Sequence, residues 1–214
     1  MDNISVIIRN RNEERYIGYA IQSVLDTFDK PEIIVVDNNS TDNSMGIVNT
    51  FDFEDIKTYS IDSYTPGKSL NYGVTKCSND YILVLSAHSQ IINCDFGNIK
   101  DLLDVYCVVG GKQIPIWNGK KISRRYVWSN FEEHDIINQA SESENRYFLH
   151  NAFAFYTKQT LTKYPFDENL SGKEDRYGLM IELKKEWTLI MIQKQCAIIT
   201  IQTTVQLGKV SVNE

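Results

Sequence analysis

Between Ile4 and Val36 the apolar residues change period twice, and that change leaves few architectures open. Ile4-Ser5-Val6-Ile7-Ile8 is short, β-branched and almost continuously apolar, as expected of a strand buried on both faces. From Tyr16 onward, Ile17, Ala20, Ile21, Val24, Leu25 and Phe28 recur at three- and four-residue steps, which is one face of a helix. Asn12 stands before it as the expected N-cap. Pro31 interrupts the pattern, and Glu32 to Val36 returns to a buried strand. A strand, a helix and a second strand buried on both faces require a parallel sheet with helices laid against it.

The rhythm continues with a short helix through Val48 and Phe51, a weaker strand at Ile56 to Tyr59 and a turn at Tyr64-Thr65-Pro66-Gly67. A helix over Lys68 to Lys76 and a strong strand over Tyr81 to Leu85 follow. The second half is less regular. Phe96, Ile99, Leu102, Leu103 and Tyr106 predict a helix running into a strand at Tyr106 to Val109, closed by Gly110-Gly111. Lys112 to Asn145 is a long polar excursion holding Trp117, Arg124, Arg125, Tyr126, Trp128 and His134; its aromatics suit either a sugar face or the core, and His134 suits the surface. Phe148 to Tyr156 reads as a strand, Glu174 to Lys185 as a helix, and Leu189 to Ile192 and Ala197 to Ile201 as two closing strands.

Composition decides which ligands such a sheet can hold. The 214 residues are 42% hydrophobic and 23% charged, which suits one folded domain. Twenty-two Lys and Arg against 28 Asp and Glu leave a net charge of −6. A surface that acidic does not grip nucleic acid or an anionic membrane non-specifically, so an anionic ligand must be held by a local group of cations. No basic leader precedes an apolar run, and no run approaches the roughly 20 apolar residues of a membrane-spanning helix. Cys77, Cys94, Cys107 and Cys196 form no Cys-x-x-Cys pair, so reduced thiols in a cytoplasmic protein are expected.

In an open parallel sheet, ligands bind beyond the carboxyl ends of the strands, where the strand order reverses. Arg9 to Glu14, Asp37 to Asp42 and Ser86 to Gln90 are therefore the segments to examine. A dinucleotide site needs glycines after the first strand, and that slot reads Arg-Asn-Arg-Asn-Glu-Glu. The same lack argues against a sugar nucleotidyltransferase.

Ile4 to Glu14 and Glu32 to Asp42 resemble the opening of glycosyltransferase family 2 enzymes with the GT-A fold. Pro66-Gly67-Lys68-Ser69-Leu70-Asn71-Tyr72-Gly73 is similar to that family's donor-contacting turn, and Tyr81 to Ser89 stands in the slot of its Asp-x-Asp strand. Leu149-His150-Asn151-Ala152 and Ser171 to Arg176 resemble its acceptor-side segments. Ser86 to Ser89, Gly111 to Pro115 and Phe166 to Arg176 are similar, more narrowly, to bacterial rhamnosyltransferase-like members.

The resemblance implies an α/β GT-A fold, mostly parallel and flanked by helices, as one domain over residues 1–201. Residues 1–90 would bind the nucleotide sugar, residues 91–201 the acceptor, and 202–214 would form a tail. It implies an inverting transferase that moves a sugar, rhamnose or another deoxyhexose, from a nucleoside diphosphate to a hydroxyl of a glycan or lipid-linked acceptor in surface polysaccharide synthesis. Such an enzyme would be cytoplasmic and would meet a membrane-linked acceptor at the inner face. Donor binding falls to Arg9, Arg11, Glu13, Asp37, Asn39, Lys68, Asn71, Ser86 and Ala87, and acceptor binding to His150, Asn151 and Arg176. Asp175 is the implied base; its neighbour Glu174 points about 100° away on a helix and cannot share that task.

One departure changes the chemistry. Ser86-Ala87-His88 replaces the Asp-x-Asp whose last carboxylate holds a divalent cation, and Thr200 stands where a late histidine ligand is expected. Only His88 remains to ligate Mn2+ or Mg2+, which argues for weak or absent metal dependence and leaves His88 to serve the leaving phosphate directly. The same departure keeps a second reading open: a weakened GT-A module that binds nucleotide or scaffolds a partner enzyme.

Overall fold

A computed structural model describes residues 2–117, 120–121, 134–138, 140–141, 146–147, 149–170 and 189–200. The predicted alternation is present as β1 (Ile4–Asn10), α1 (Ile17–Thr27), β2 (Glu32–Asp37), α2 (Ser44–Val48), β3 (Ile56–Ser60), α3 (Pro66–Lys76) and β4 (Tyr81–Ser86). There follow β5 (Ser89–Asn93), α4 (Phe96–Leu103), β6 (Val108–Trp117), the two-residue strands β7 (Lys120–Lys121), β8 (Ile136–Ile137), β9 (Ala140–Ser141) and β10 (Arg146–Tyr147), then β11 (Phe153–Thr157), α5 (Lys158–Lys163) and β12 (Leu189–Thr200).

The main sheet runs β3-β2-β1-β4-β11-β6-β12-β5. Strands β3, β2, β1 and β4 are mutually parallel, β12 is parallel to β6, and β11 and β5 run against their neighbours. This is the expected mostly parallel α/β sheet. The chain moves outward from β1 to β2 and β3, then returns to pair β4 on the other side of β1. The order therefore reverses between β1 and β4, and the ligand crevice belongs there.

Alternation along the strands divides the core into two layers. Ile4, Val6, Ile8, Ile33, Val35, Leu83 and Leu85 pack with α1 and with Phe96 and Ile99 of α4. Ile7, Ile34, Val36, Ile82 and Val84 pack on the other face with Leu70 and Val74 of α3. Helix α3 lies close because Gly73 has no side chain: a Cβ there would stand 2.8 Å from Ile7 Cγ2.

Several boundaries differ from expectation. Strand β1 extends through Arg9 to Asn10, since both neighbours offer ladder partners as far as Asp37 and Ser86. Asn12 does not cap α1; Tyr16 holds that position, and Asn12 adopts φ 55° to accept the Thr41 N–H. Gly110-Gly111 does not end a strand, because β6 continues through both glycines to Trp117, paired with β11 as far as Gly110 and with β12 as far as Ile116. Only Ala87 and His88 separate β4 from β5, where a longer loop is expected. The strand read from Phe148 starts at Phe153, after a turn. The two closing strands are one, β12, with a register shift between Ile192 and Cys196. Helix α2 ends at Val48, before Phe51. The expected helix at Glu174 to Lys185, and Arg124, Arg125, Tyr126, Trp128 and the tail, lie outside the described residues. His134 is exposed, as expected.

Candidate active site at the strand-order reversal

Three strands bring their carboxyl ends to one edge. Asn10 is the register partner of Asp37, and Arg9 that of Ser86. By alternation, Asn10 and Asp37 face the α1 side, while Arg9 and Ser86 face the α3 side. Helix α3 follows β3, so its first turn, with Gly67 and Lys68, starts at this same edge.

The loops on the α1 side are stitched together before any ligand arrives. Asp37, almost fully buried, accepts from Asn10 Nδ2 at 2.8 Å, from Ser40 Oγ at 2.6 Å and from the Ser40 N–H at 3.0 Å. Ser40 Oγ accepts from the Asn12 N–H, and Ser44 Oγ from the Glu13 N–H. Asp42 accepts from the N–H groups of Ser44 and Glu14, with Ser44 Oγ donating to it as well. Burial pushes the Asp42 carboxyl up, but these hydrogen bonds outweigh it and hold the group below the ordinary carboxylate value. Asp42 thus ties the loop after β2 to the loop after β1. Asn39 takes φ 49° and donates to the Ile61 carbonyl at 3.3 Å.

This stitching presents Glu13 across the reversal point. Its Oε1 lies 3.1 Å from His88 Nδ1, so a residue after β1 meets a residue after β4. A carboxylate on Nδ1 orients an imidazole and defines which nitrogen remains for another partner, here Nε2. Ala87, between Ser86 and His88 in the chain, is buried with its methyl in the core, so only its backbone can face a ligand.

The turn at 149–152 adjoins the same edge. The Ser86 N–H donates to the Ala152 carbonyl at 3.3 Å, and Gln113 Nε2 donates to the His150 carbonyl at 3.1 Å. Asn151 is buried, and its Oδ1 accepts from Tyr156 Oη at 2.5 Å. The structure therefore gathers Arg9, Glu13, Asp37, Asn39, Ser86, His88, His150 and Asn151 around one edge, with Lys68 at the start of α3. Lys68 Nζ donates to Ser63 Oγ, and its N–H to the capping Thr65 Oγ1 at 3.2 Å. Arg11 is exposed just beyond β1. Asn71 uses its amide elsewhere, on the backbone of Phe166. Glu174, Asp175 and Arg176 lie outside the described residues.

Sequence reasoning missed three residues of this edge. Asn10 and Ser40 are the direct partners of Asp37, and the placement of Asn10 as the last strand residue was the available signal. Gln113 was hidden by ending β6 at the glycines.

A divalent cation here can be tested against its donors. Mg2+ takes a set of oxygen ligands, usually one or two carboxylates with the substrate's phosphates. This slot offers a serine hydroxyl, a buried methyl and an imidazole already facing Glu13, and no cluster of three or more His, Cys, Asp or Glu converges among the described residues. Among the described residues this set does not fit a Mg2+ site.

With this geometry in hand, the relatives can be placed. The sequence model of glycosyl transferase family 2 matches residues 5–164, well over half of the chain. The chain belongs to glycosyl transferase family 2. The family model covers β1 through α5, and so all of the edge just described. A dolichyl N-acetyl-alpha-D-glucosaminyl phosphate 3-beta-D-2,3-diacetamido-2,3-dideoxy-beta-D-glucuronosyltransferase of Methanococcus voltae is 29% identical over 97 residues, 42% of this chain and 30% of the relative. An uncharacterized glycosyltransferase of Haemophilus influenzae is 31% identical over 97 residues, 44% of this chain and 39% of its own length. The chain thus spans well under half of these curated relatives. Among solved structures, S. aureus TarS in complex with UDP superposes with a TM-score of 0.70 at 20% identity, over 93% of this chain and 60% of TarS. TarS in complex with UDP-GlcNAc gives 0.66 at 18%, over 93% of this chain and 58% of that one. These likenesses establish the fold.

Proposed function

We propose that this family 2 chain transfers a sugar, with inversion, from a nucleoside diphosphate donor to a hydroxyl of a glycan or lipid-linked acceptor. The observation that carries the reading is the Glu13–His88 pair, which bridges the strand-order reversal where the family's donor is expected. Residues 1–90 take the donor and residues 91–201 the acceptor. In a single displacement the acceptor oxygen bonds to the anomeric carbon as the bond from that carbon to the phosphate oxygen breaks. Asp175 takes the hydroxyl proton, and the electron pair leaves on the diphosphate. Lys68, Arg9, Arg11 and His88 Nε2 face the charge that develops there. Asp37 and Asn39 hold the base and ribose.

The reading includes weak or absent metal dependence, because the cations and donors named replace the carboxylate motif. For the sugar we take a deoxyhexose such as rhamnose, on the resemblance of Ser86 to Ser89, Gly111 to Pro115 and Phe166 to Arg176 alone, with surface polysaccharide as the destination. Among the described residues no helix is long and apolar enough to cross a membrane. A membrane-linked acceptor would then meet the described part of the chain at the surface of the inner leaflet.

A panel of sugar nucleotides that includes dTDP-rhamnose and UDP-GlcNAc, incubated with and without EDTA, tests the proposal. Release of nucleoside diphosphate from one donor, with at least half the rate kept in EDTA, is the expected result. Binding of a nucleoside diphosphate with no turnover of any donor would favour the weakened module suggested by Ser86-Ala87-His88.

A further inference from the structure

The N-terminal turns of α3 hold the Phe166–Asn169 segment. Asn71 Nδ2 donates to the Phe166 carbonyl at 2.9 Å, and Asn71 Oδ1 accepts from the Phe166 N–H at 2.9 Å. One side chain thus pairs both backbone groups of one residue, as a neighbouring strand would. The second amide hydrogen goes to Glu168 Oε1, also at 2.9 Å. A carboxamide has two N–H donors, so both are engaged within the protein.

Gly67 seats the same segment one helical turn earlier. A Cβ at Gly67 would overlap the Asp167 carbonyl oxygen and lie 2.9 Å from its carbon and 3.3 Å from the Glu168 nitrogen. The helix backbone and the 167–168 backbone are therefore in direct apposition, which only glycine permits. On the inner side Phe166 is buried, with its ring edge-on to Tyr156 at 6.0 Å, in the core layer that contains Leu70 and Val74. On the outer side Asp167 Oδ1 accepts from the Asn169 N–H at 2.9 Å and closes a turn. Residues Phe166 to Asn169 are pinned at four successive positions.

From these contacts we infer that Asn71 is a positioning residue. With Gly67 as its seat, it latches the Phe166–Asn169 segment to the helix that carries Lys68, and so sets the place from which the chain runs on to Asp175. The inference rests on the proposed function for the role of Asp175, and it reassigns Asn71 from donor contact to alignment of the two substrate sides. Alignment errors of about 1 Å are enough to cost a transfer reaction 100-fold.

The test compares wild type with Asn71→Ala, Asn71→Asp and Gly67→Ala by amide exchange, nucleoside diphosphate titration and steady-state kinetics with the donor that wild type turns over. The latch predicts at least 10-fold faster exchange of the Phe166 N–H in Asn71→Ala, with the Val84 and Ile7 amides of the core unchanged. Asn71→Asp keeps an acceptor for that N–H but turns an oxygen toward the Phe166 carbonyl and the Glu168 carboxylate, so its protection should fall below that of wild type. Nucleoside diphosphate Kd and donor KM should stay within twofold, while kcat falls at least 10-fold in Asn71→Ala and in Gly67→Ala. A 10-fold weaker nucleotide Kd with unchanged Phe166 exchange would make Asn71 a donor contact and overturn the latch. Faster Phe166 exchange with kcat unchanged would overturn the positioning role. If wild type turned over no donor, the proposed transfer would fail, whereas the exchange comparison would still decide whether the latch exists.

Discussion

Glu32→Ala is expected to lower the unfolding free energy by about 2–4 kcal/mol, enough to bring the melting temperature down by roughly 5–15 °C in a chain of this size. Glu32 opens β2 at the amino end of the sheet and is almost fully buried. Its carboxylate accepts from Ser5 Oγ at 2.5 Å, from the Ser78 N–H at 2.7 Å and from Lys57 Nζ at 2.7 Å. Ser5 is itself fully buried and receives the Asn79 N–H at 3.2 Å, so alanine would leave a connected group of donors without an acceptor. Lys57 is 43% exposed and contributes little of the loss.

The same residue gives a signed pH dependence. Burial pushes the Glu32 carboxyl up, but the hydrogen bonds from Lys57, Ser5 and Ser78 together outweigh it, and the group sits below its ordinary 4.5. A carboxyl depressed in the folded state adds stability that is present above the unfolded value and lost as pH falls through the folded one. Glu32→Gln removes the charge and keeps one acceptor. Its deficit by chemical denaturation should be full at pH 7 and shrink steadily below pH 4.5. An equal deficit at pH 7 and pH 3 would refute the charge-linked account. Since Glu32 lies at the end of the sheet opposite the site, nucleotide affinity should not change in either variant.

The second large effect is on turnover. Asp175→Asn should lower kcat by about 100- to 10,000-fold, the usual worth of a positioned general base, while leaving nucleoside diphosphate affinity within twofold. An alcohol is a poor nucleophile until its proton is taken, and asparagine keeps the size of the side chain while losing the basic carboxylate that takes it. Glu174 cannot substitute if the segment is helical, because adjacent residues there diverge by about 100°. Glu174→Gln should therefore cost less than 10-fold. Pre-steady-state measurement of single-turnover rates separates loss of chemistry from slower product release. Equal transfer by wild type and Asp175→Asn would remove Asp175 from the mechanism.

The sheet was legible because buried parallel strands have a pattern that polar loops cannot imitate. Val6, Ile8, Ile33, Val35, Leu83 and Leu85 announce their burial by type and spacing alone. Chain order singled out the segments after β1, β2 and β4, and the sheet places the reversal between β1 and β4. What the sequence concealed is pairing over long separations. That Glu13 meets His88, that Asp37 is held by Asn10 and that Asn71 closes on Phe166 depends on loop geometry, and local composition carries no trace of it. Glycines misled in both directions. Gly110-Gly111 signals a break by propensity, yet β6 passes through it with β12 paired to both glycines. Gly67 reads as a turn residue, and its decisive feature is the backbone of Asp167 lying against it.

On the proposed function, an acidic chain without the usual carboxylate motif holds a diphosphate by its own cations and donors at the strand-order reversal. Titration calorimetry of UDP, GDP and dTDP in EDTA, into wild type and His88→Asn, tests it most directly. The account predicts that one nucleotide binds wild type with a Kd that changes less than threefold when EDTA is replaced by Mn2+. His88→Asn should weaken that Kd by about 10- to 100-fold, the loss expected of one charge-assisted hydrogen bond. Binding that vanishes in EDTA, or that is indifferent to His88, would contradict it.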